Sequence, residues 1–211
     1  MTPDLPRFSA ASGLLAGLFL AVAGFISIFT GKTAGAAFVI ALVPALAIPL
    51  LVAVYHQRNA DVPGVFGPVA YGLNLLGLGL FSGAVFTTDT ALFYLTTPVR
   101  DHLKHEPTFA ALLGSAALFA VGTAAFGLFL LRTKAYPRLL CLAYIVFPTL
   151  LAALSPLPDS PLKNANHCLA GLTVAWLAVT LWRTTPARPP RPGAVGRRPV
   201  PLDSRSGGQA A

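Results

Sequence analysis

The chain has 211 residues, of which 55% are hydrophobic and only 10% charged, with a formal net charge of +8. Soluble domains carry roughly 25% charged residues, so this composition excludes an ordinary soluble fold. The basic excess does not mark a nucleic-acid binder either, because six of the fifteen basic residues (Arg183, Arg188, Arg191, Arg197, Arg198 and Arg205) follow the last apolar segment, where topology and anionic lipid head groups use them.

Between the charges lie stretches close to the roughly 20 apolar residues that cross a 30 Å hydrocarbon core. The first, 9–29, is uncharged. A cleaved signal peptide is the competing reading, since Ala34-Gly35-Ala36 mimics a small-residue cleavage site. Arg7 alone supplies the positive start, and the apolar run exceeds the roughly 7–15 residues of a signal core. A retained first helix is therefore expected. The second segment, 35–55, carries Pro44 and Pro49, which membrane helices accept when neighbours satisfy the freed carbonyls. The third, 66–88, is rich in glycine, and Gly79 and Gly83 repeat the spacing of Gly13 and Gly17 in the first. Close helix packing is the expected use of both pairs.

Residues 89–108 make a long connection, with a short apolar run from Ala91 to Leu95, then Pro98 and the charged string from Arg100 to Glu106. An extension of the third helix or an interfacial helix, then a solvated turn, is predicted there. The fourth segment, 109–131, leads through Arg132, Lys134 and Arg138 into the fifth, 139–157, which contains Pro148. A Pro, Asp and Ser-dense turn precedes the sixth, 165–182, with Trp182 at its boundary. The remainder, 184–211, lacks periodic apolar residues and is expected to be a disordered cytoplasmic tail. The expectation is an all-α polytopic transmembrane bundle of about six helices followed by that tail.

Cys141 and Cys168 stand near the starts of consecutive segments. Antiparallel neighbours put those starts at opposite faces, so no disulfide is expected and both read as small packing residues. With six spans, one side receives Arg7, Arg58, Arg132, Lys134, Arg138 and the six later arginines, eleven in all. The other receives four: Lys32, Arg100, Lys104 and Lys163. The positive-inside rule then places both termini in the cytoplasm, and it is the C-terminal arginines that tip the balance.

That orientation moves most titratable groups outward: Asp89, Asp101, His102, His105, Glu106, Asp159 and His167. His102 and His105 have a spacing that shares a helix face, and a metal site with nearby carboxylates is conceivable chemistry for them. A hydrated loop explains the same residues, and no catalytic, cofactor or metal residue is assigned. No Lys, Arg, Glu or His falls in the middle of a segment, which argues against a proton-coupled transporter or a pump. Asn74 is the main polar side chain at moderate depth, and a helix-to-helix hydrogen bond is its expected role. C-x-x-C, H-E-x-x-H, G-x-S-x-G, the P-loop and G-x-G-x-x-G are all missing.

From the fourth segment onward, Leu112-Leu113-Gly114, then Phe126-Gly127-Leu128-Phe129-Leu130-Leu131-Arg132, then Tyr136-Pro137-Arg138 form a pattern. A glycine-bearing helix ends in Leu-Arg and passes through Pro-Arg into another apolar helix. Over roughly 109–183 the chain resembles the six-helix bacterial, often actinobacterial, membrane proteins grouped as domain of unknown function 4386. The resemblance implies a multi-pass protein of a bacterial plasma membrane and transfers no activity. Three functions stay open: a non-enzymatic membrane-organising or interaction protein, which the sequence favours; a small transporter or channel for an apolar or weakly polar solute; and an enzyme or metal sensor at the outer face. Expected partners are the lipid bilayer, anionic head groups at the arginine-rich tail, and a second copy or another membrane protein.

Overall fold

The computed structural model describes residues 4–185; the tail expected to be disordered lies almost wholly outside the described residues. Seven α-helices follow one another: α1 (Asp4–Thr30), α2 (Ala34–Arg58), α3 (Phe66–Thr90), α4 (Thr97–Leu103), α5 (Pro107–Thr133), α6 (Arg138–Leu154) and α7 (Pro161–Thr184). Short 3-10 turns at Asn59–Asp61 and Leu92–Tyr94 complete the described structure, which contains no strand. α1, α2, α3, α5 and α7 are long and apolar enough to cross a membrane, and α6 is a shorter apolar helix of 17 residues. Helices suit that environment because they satisfy their own backbone polar groups where no water can.

The fifth expected segment, 139–157, is overlong. α6 stops at Leu154, because Pro156 and Pro158 remove donors needed for another turn. Its 17 residues stand at the lower end of the roughly 17–25 that span a bilayer. Around it, local chemistry sets the boundaries. The Thr33 hydroxyl caps α2 by accepting from the Ala36 amide at 3.2 Å. Ser160 caps α7 in the same way through the Lys163 amide at 3.3 Å, with Pro161 opening the helix. Ala34-Gly35-Ala36, which mimics a cleavage site, forms the first turn of α2.

Each long helix packs on its neighbour in the chain, and α7 returns to α1, so the six form a closed ring. The two tightest seams are α1 on α7 and α3 on α5. Both depend on glycine. A Cβ at Gly17 would lie 2.6 Å from the Gly171 carbonyl oxygen, and one at Gly77 would lie 2.7 Å from that of Leu118. Small residues of this kind let membrane helices approach backbone to backbone. The expected pairing of roles is only half met: Gly13 and Gly17 pack against Leu50 and α7, but Gly79 and Gly83 have open space around them. They fall on the outward face of α3 with exposed Leu76 and Leu80, since the α5 seam takes the face bearing Asn74, Gly77 and Phe81.

The prolines stay inside continuous helices, Pro44 and Pro49 in α2 and Pro148 in α6. Neighbouring side chains bond to carbonyls beside them: Ser12 donates to Leu46 at 2.7 Å, and Asn166 to Phe147 at 3.1 Å. Cys141 and Cys168 are both free thiols, the first buried in the core.

Candidate functional site: an axial cavity with an ionic mouth

The ring is solid at one end and hollow at the other. At the end where α2 finishes and α3 begins, Tyr55 stacks on Tyr71 with ring centroids 4.0 Å apart. Phe129 packs beside Tyr55, and Phe126 bridges Phe129 to Tyr144. Asn74 sits within this plug, fully buried. Its amide donates to the Tyr144 hydroxyl at 3.3 Å, and its carbonyl accepts from the Thr123 hydroxyl at 3.1 Å. Asn74 thus ties α3 to α5 and α6, the helix-to-helix role expected of it. The rim of this end is held by Arg132 over Phe66 at 4.1 Å and Arg58 over Tyr136 at 5.6 Å. Burial pushes the Tyr136 phenol above its ordinary pKa.

Toward the other end the helices line an open cavity of about 390 Å³, within the roughly 300–1,000 Å³ typical of ligand sites. All six helices of the ring line it. Its walls are apolar, exemplified by Leu20 of α1, Val43 of α2, Phe81 of α3, Leu112 of α5 and Leu151 of α6. Phe81 is held flat by a stack on Phe119, with centroids 4.5 Å apart. Leu92, Phe93 and Leu103, from the 3-10 turn and α4, add to the lining.

The mouth is ionic. Lys32, from the tight turn between α1 and α2, meets Asp89 at the end of α3, with an Nζ–Oδ1 distance of 2.5 Å. Their side chains are only 15% and 8% exposed, so each ion depends on the other. Lys163 of α7 donates to the carbonyls of Ser155 and Leu157 at 3.2 and 2.9 Å and lies 3.5 Å from Asp159. It therefore acts as a clamp on the α6–α7 turn. Lys104 contacts Asp101 at 2.7 Å, and this bond holds the Asp101 carboxyl below the ordinary carboxylate pKa. Arg100 also lines the cavity, and no carboxylate among the described residues lies within ion-pair distance of it.

Of the titratable residues singled out in the sequence, Asp89, Asp159 and His167 do line the cavity. His167 is buried, and its Nδ1–H donates to the Lys163 carbonyl at 2.7 Å. His102 and His105 do not join them. α4 ends at Leu103, so the two histidines share no continued helix face. His102 instead lies 3.6 Å from Glu106 on an exposed surface. Among the described residues no three His, Cys, Asp or Glu side chains converge to hold a metal. The conceivable metal site of His102 and His105 with nearby carboxylates is therefore not assembled among the described residues.

Four cavity residues, Lys32, Arg100, Lys104 and Lys163, stand out in the sequence only as topology signals. The clue to their shared role is positional: with strict alternation of six spans, their four loci fall at the same end of the bundle. No protein-family model, curated protein or solved structure matches the chain.

Proposed function

We propose that this chain is a small membrane transporter that takes an apolar or amphipathic solute into the axial cavity of its helical ring. The observation that carries the reading is the cavity itself, lined by all six helices of the ring and apolar within, with Tyr55, Tyr71 and Phe129 packed together at the opposite end of the bundle. Solute sites in membrane transporters lie between helical repeats. A membrane-organising protein would instead be carried by the outward glycines of α3, a face that lipid fills as readily as a partner.

A transport cycle, rather than static binding, is supported by the two halves of the chain. α1–α3 and α5–α7 are three-helix units joined by the α4 connection. Any alternating six-span bundle makes such halves antiparallel, so the weight rests on their detail. α1 and α5 both have 27 residues, and α3 and α7 have 25 and 24. The middle helices are the ones with proline in their interior, Pro44 and Pro148 each being the eleventh residue of its helix, although α2 carries Pro49 as well. Exchanging the halves converts the α1–α7 seam, with Gly17 and Gly171, into the α5–α3 seam, with Gly122 and Gly77. Inverted repeats of this kind rock against one another to expose a site alternately to each side.

The setting proposed is a bacterial plasma membrane with both termini cytoplasmic and the cavity mouth outside, supported by the lysine and arginine asymmetry. Reporter fusions at the C-terminus and within the α4 connection test that orientation. The transport reading is tested with Val85→Cys, on the cavity wall, in a Cys141→Ala, Cys168→Ala background. A transporter gives labelling by a membrane-impermeant maleimide in both right-side-out and inverted vesicles. Labelling confined to the α4 side under all conditions refutes alternating access.

A further inference from the structure

We infer that the cavity is a site for a single-chain amphipath with an anionic head, the head held at the mouth by Arg100 together with Lys32 and Lys104. This inference rests on the cavity being a solute site and adds the chemistry of the solute. The cavity has two distinct chemistries along its length. Below, the walls from Leu20, Val43, Phe81 and Leu151 offer nothing to a polar group and match a hydrocarbon chain. Above, the lining holds four cations, Lys32, Arg100, Lys104 and Lys163, against two carboxylates, Asp89 and Asp159. Counting Asp101, which binds Lys104 from outside the lining, still leaves the mouth positive. An anionic head would complete this balance; a cationic or neutral one would not.

The donors still available identify which residues would take the head. Lys163 is committed to two carbonyls and Asp159, so it serves the fold. Lys32 and Lys104 each contact a single carboxylate oxygen, and an ammonium has three donors. Arg100 has no side-chain bond among the described residues, and its guanidinium fork matches a phosphate or carboxylate bidentately. These side chains come from the α1–α2 turn and from α4 and its C-cap, the segments bordering the mouth. A chain entering from the outer leaflet would leave its head at their level.

The test uses the full chain in nanodiscs of zwitterionic lipid, titrated with dodecyl phosphate, dodecanoate, dodecanol and inorganic phosphate, with bound ligand read by native mass spectrometry. At least one anionic chain is expected to bind saturably and more tightly than dodecanol. Arg100→Ala, at an exposed position without an ionic partner among the described residues, should weaken that binding about tenfold or more while leaving dodecanol unchanged. Arg100→Lys should recover part of the loss, and Arg138→Ala, at the opposite end, should change nothing. Equal binding of dodecanol and both anionic chains, indifferent to Arg100→Ala, overturns the head-group assignment while the cavity stands as an apolar-solute site. Inorganic phosphate binding as tightly as the amphipaths overturns the chain-in-cavity assignment. No saturable binding of any probe overturns both this inference and the solute-site reading beneath it.

Discussion

Adding one methyl group at Gly122 should separate the α3–α5 seam, and the same change at Gly79 should not. A Cβ at Gly122 would lie 2.5 Å from the Leu73 carbonyl oxygen and 2.6 Å from the Asn74 Cα. Both are backbone atoms, so no side-chain rotation relieves the clash, and the helices must part by about 1 Å to reach van der Waals separation. Overpacking of this kind costs about 1–3 kcal/mol. Parting the seam also stretches the adjacent Thr123–Asn74 bond, now 3.1 Å, which adds about 0.6 kcal/mol, the average for an interhelical hydrogen bond in a membrane protein. Replacing glycine by alanine in a helix returns up to about 1 kcal/mol of intrinsic helix preference. At Gly79, with open space around it, that gain stands alone. Gly122→Ala should therefore be less stable than Gly79→Ala by roughly 2–4 kcal/mol, combining those contributions. The assay is reversible unfolding of the purified chain in mixed micelles with increasing sodium dodecyl sulfate, followed by circular dichroism. Equal stability of the two variants would refute the glycine-seam account of the ring.

Three further outcomes test the polar contacts. A double-mutant cycle between Asn74→Leu and Tyr144→Phe, in the same unfolding assay, should give a coupling of about 0.6 kcal/mol; zero coupling means that the 3.3 Å bond between them contributes nothing. Lys32→Met alone should destabilise the chain by about 3–5 kcal/mol because Asp89 is left buried without its partner, and adding Asp89→Leu should recover most of that loss. A double variant as unstable as the single one would show that the pair is needed for more than charge balance. The third concerns Asp101. Its pKa is depressed by Lys104, so its contribution is present above the unfolded carboxylate value and disappears as pH falls through the lower folded value. Carboxyl chemical shifts should follow Asp101 titrating below an ordinary aspartate, with Lys104→Ala returning it to the usual range; an unchanged midpoint in that variant would remove Lys104 as the cause.

The amino-acid order by itself determines that this chain is helical and built for lipid. Apolar runs of spanning length need no partner to be recognised, because in a membrane each helix closes its own backbone hydrogen bonds. The caps at Thr33 and Ser160 are equally local, each a side chain three residues from its partner, yet the expected sixth segment begins only at 165, four residues inside α7. Asn74 is legible too, since a lone amide among apolar residues must find a neighbour. Which face of each helix turns inward is not legible. Gly79 and Gly83 carry the same spacing as Gly13 and Gly17, yet they lie on the open side of α3. Nearly uniform hydrophobicity around a membrane helix hides its inner face, because lipid tails are as apolar as the core. For the same reason no local pattern announces the axial cavity. Lys32, Asp89, Arg100 and Lys163 are scattered over more than half the chain, and only closure of the ring brings them to one mouth.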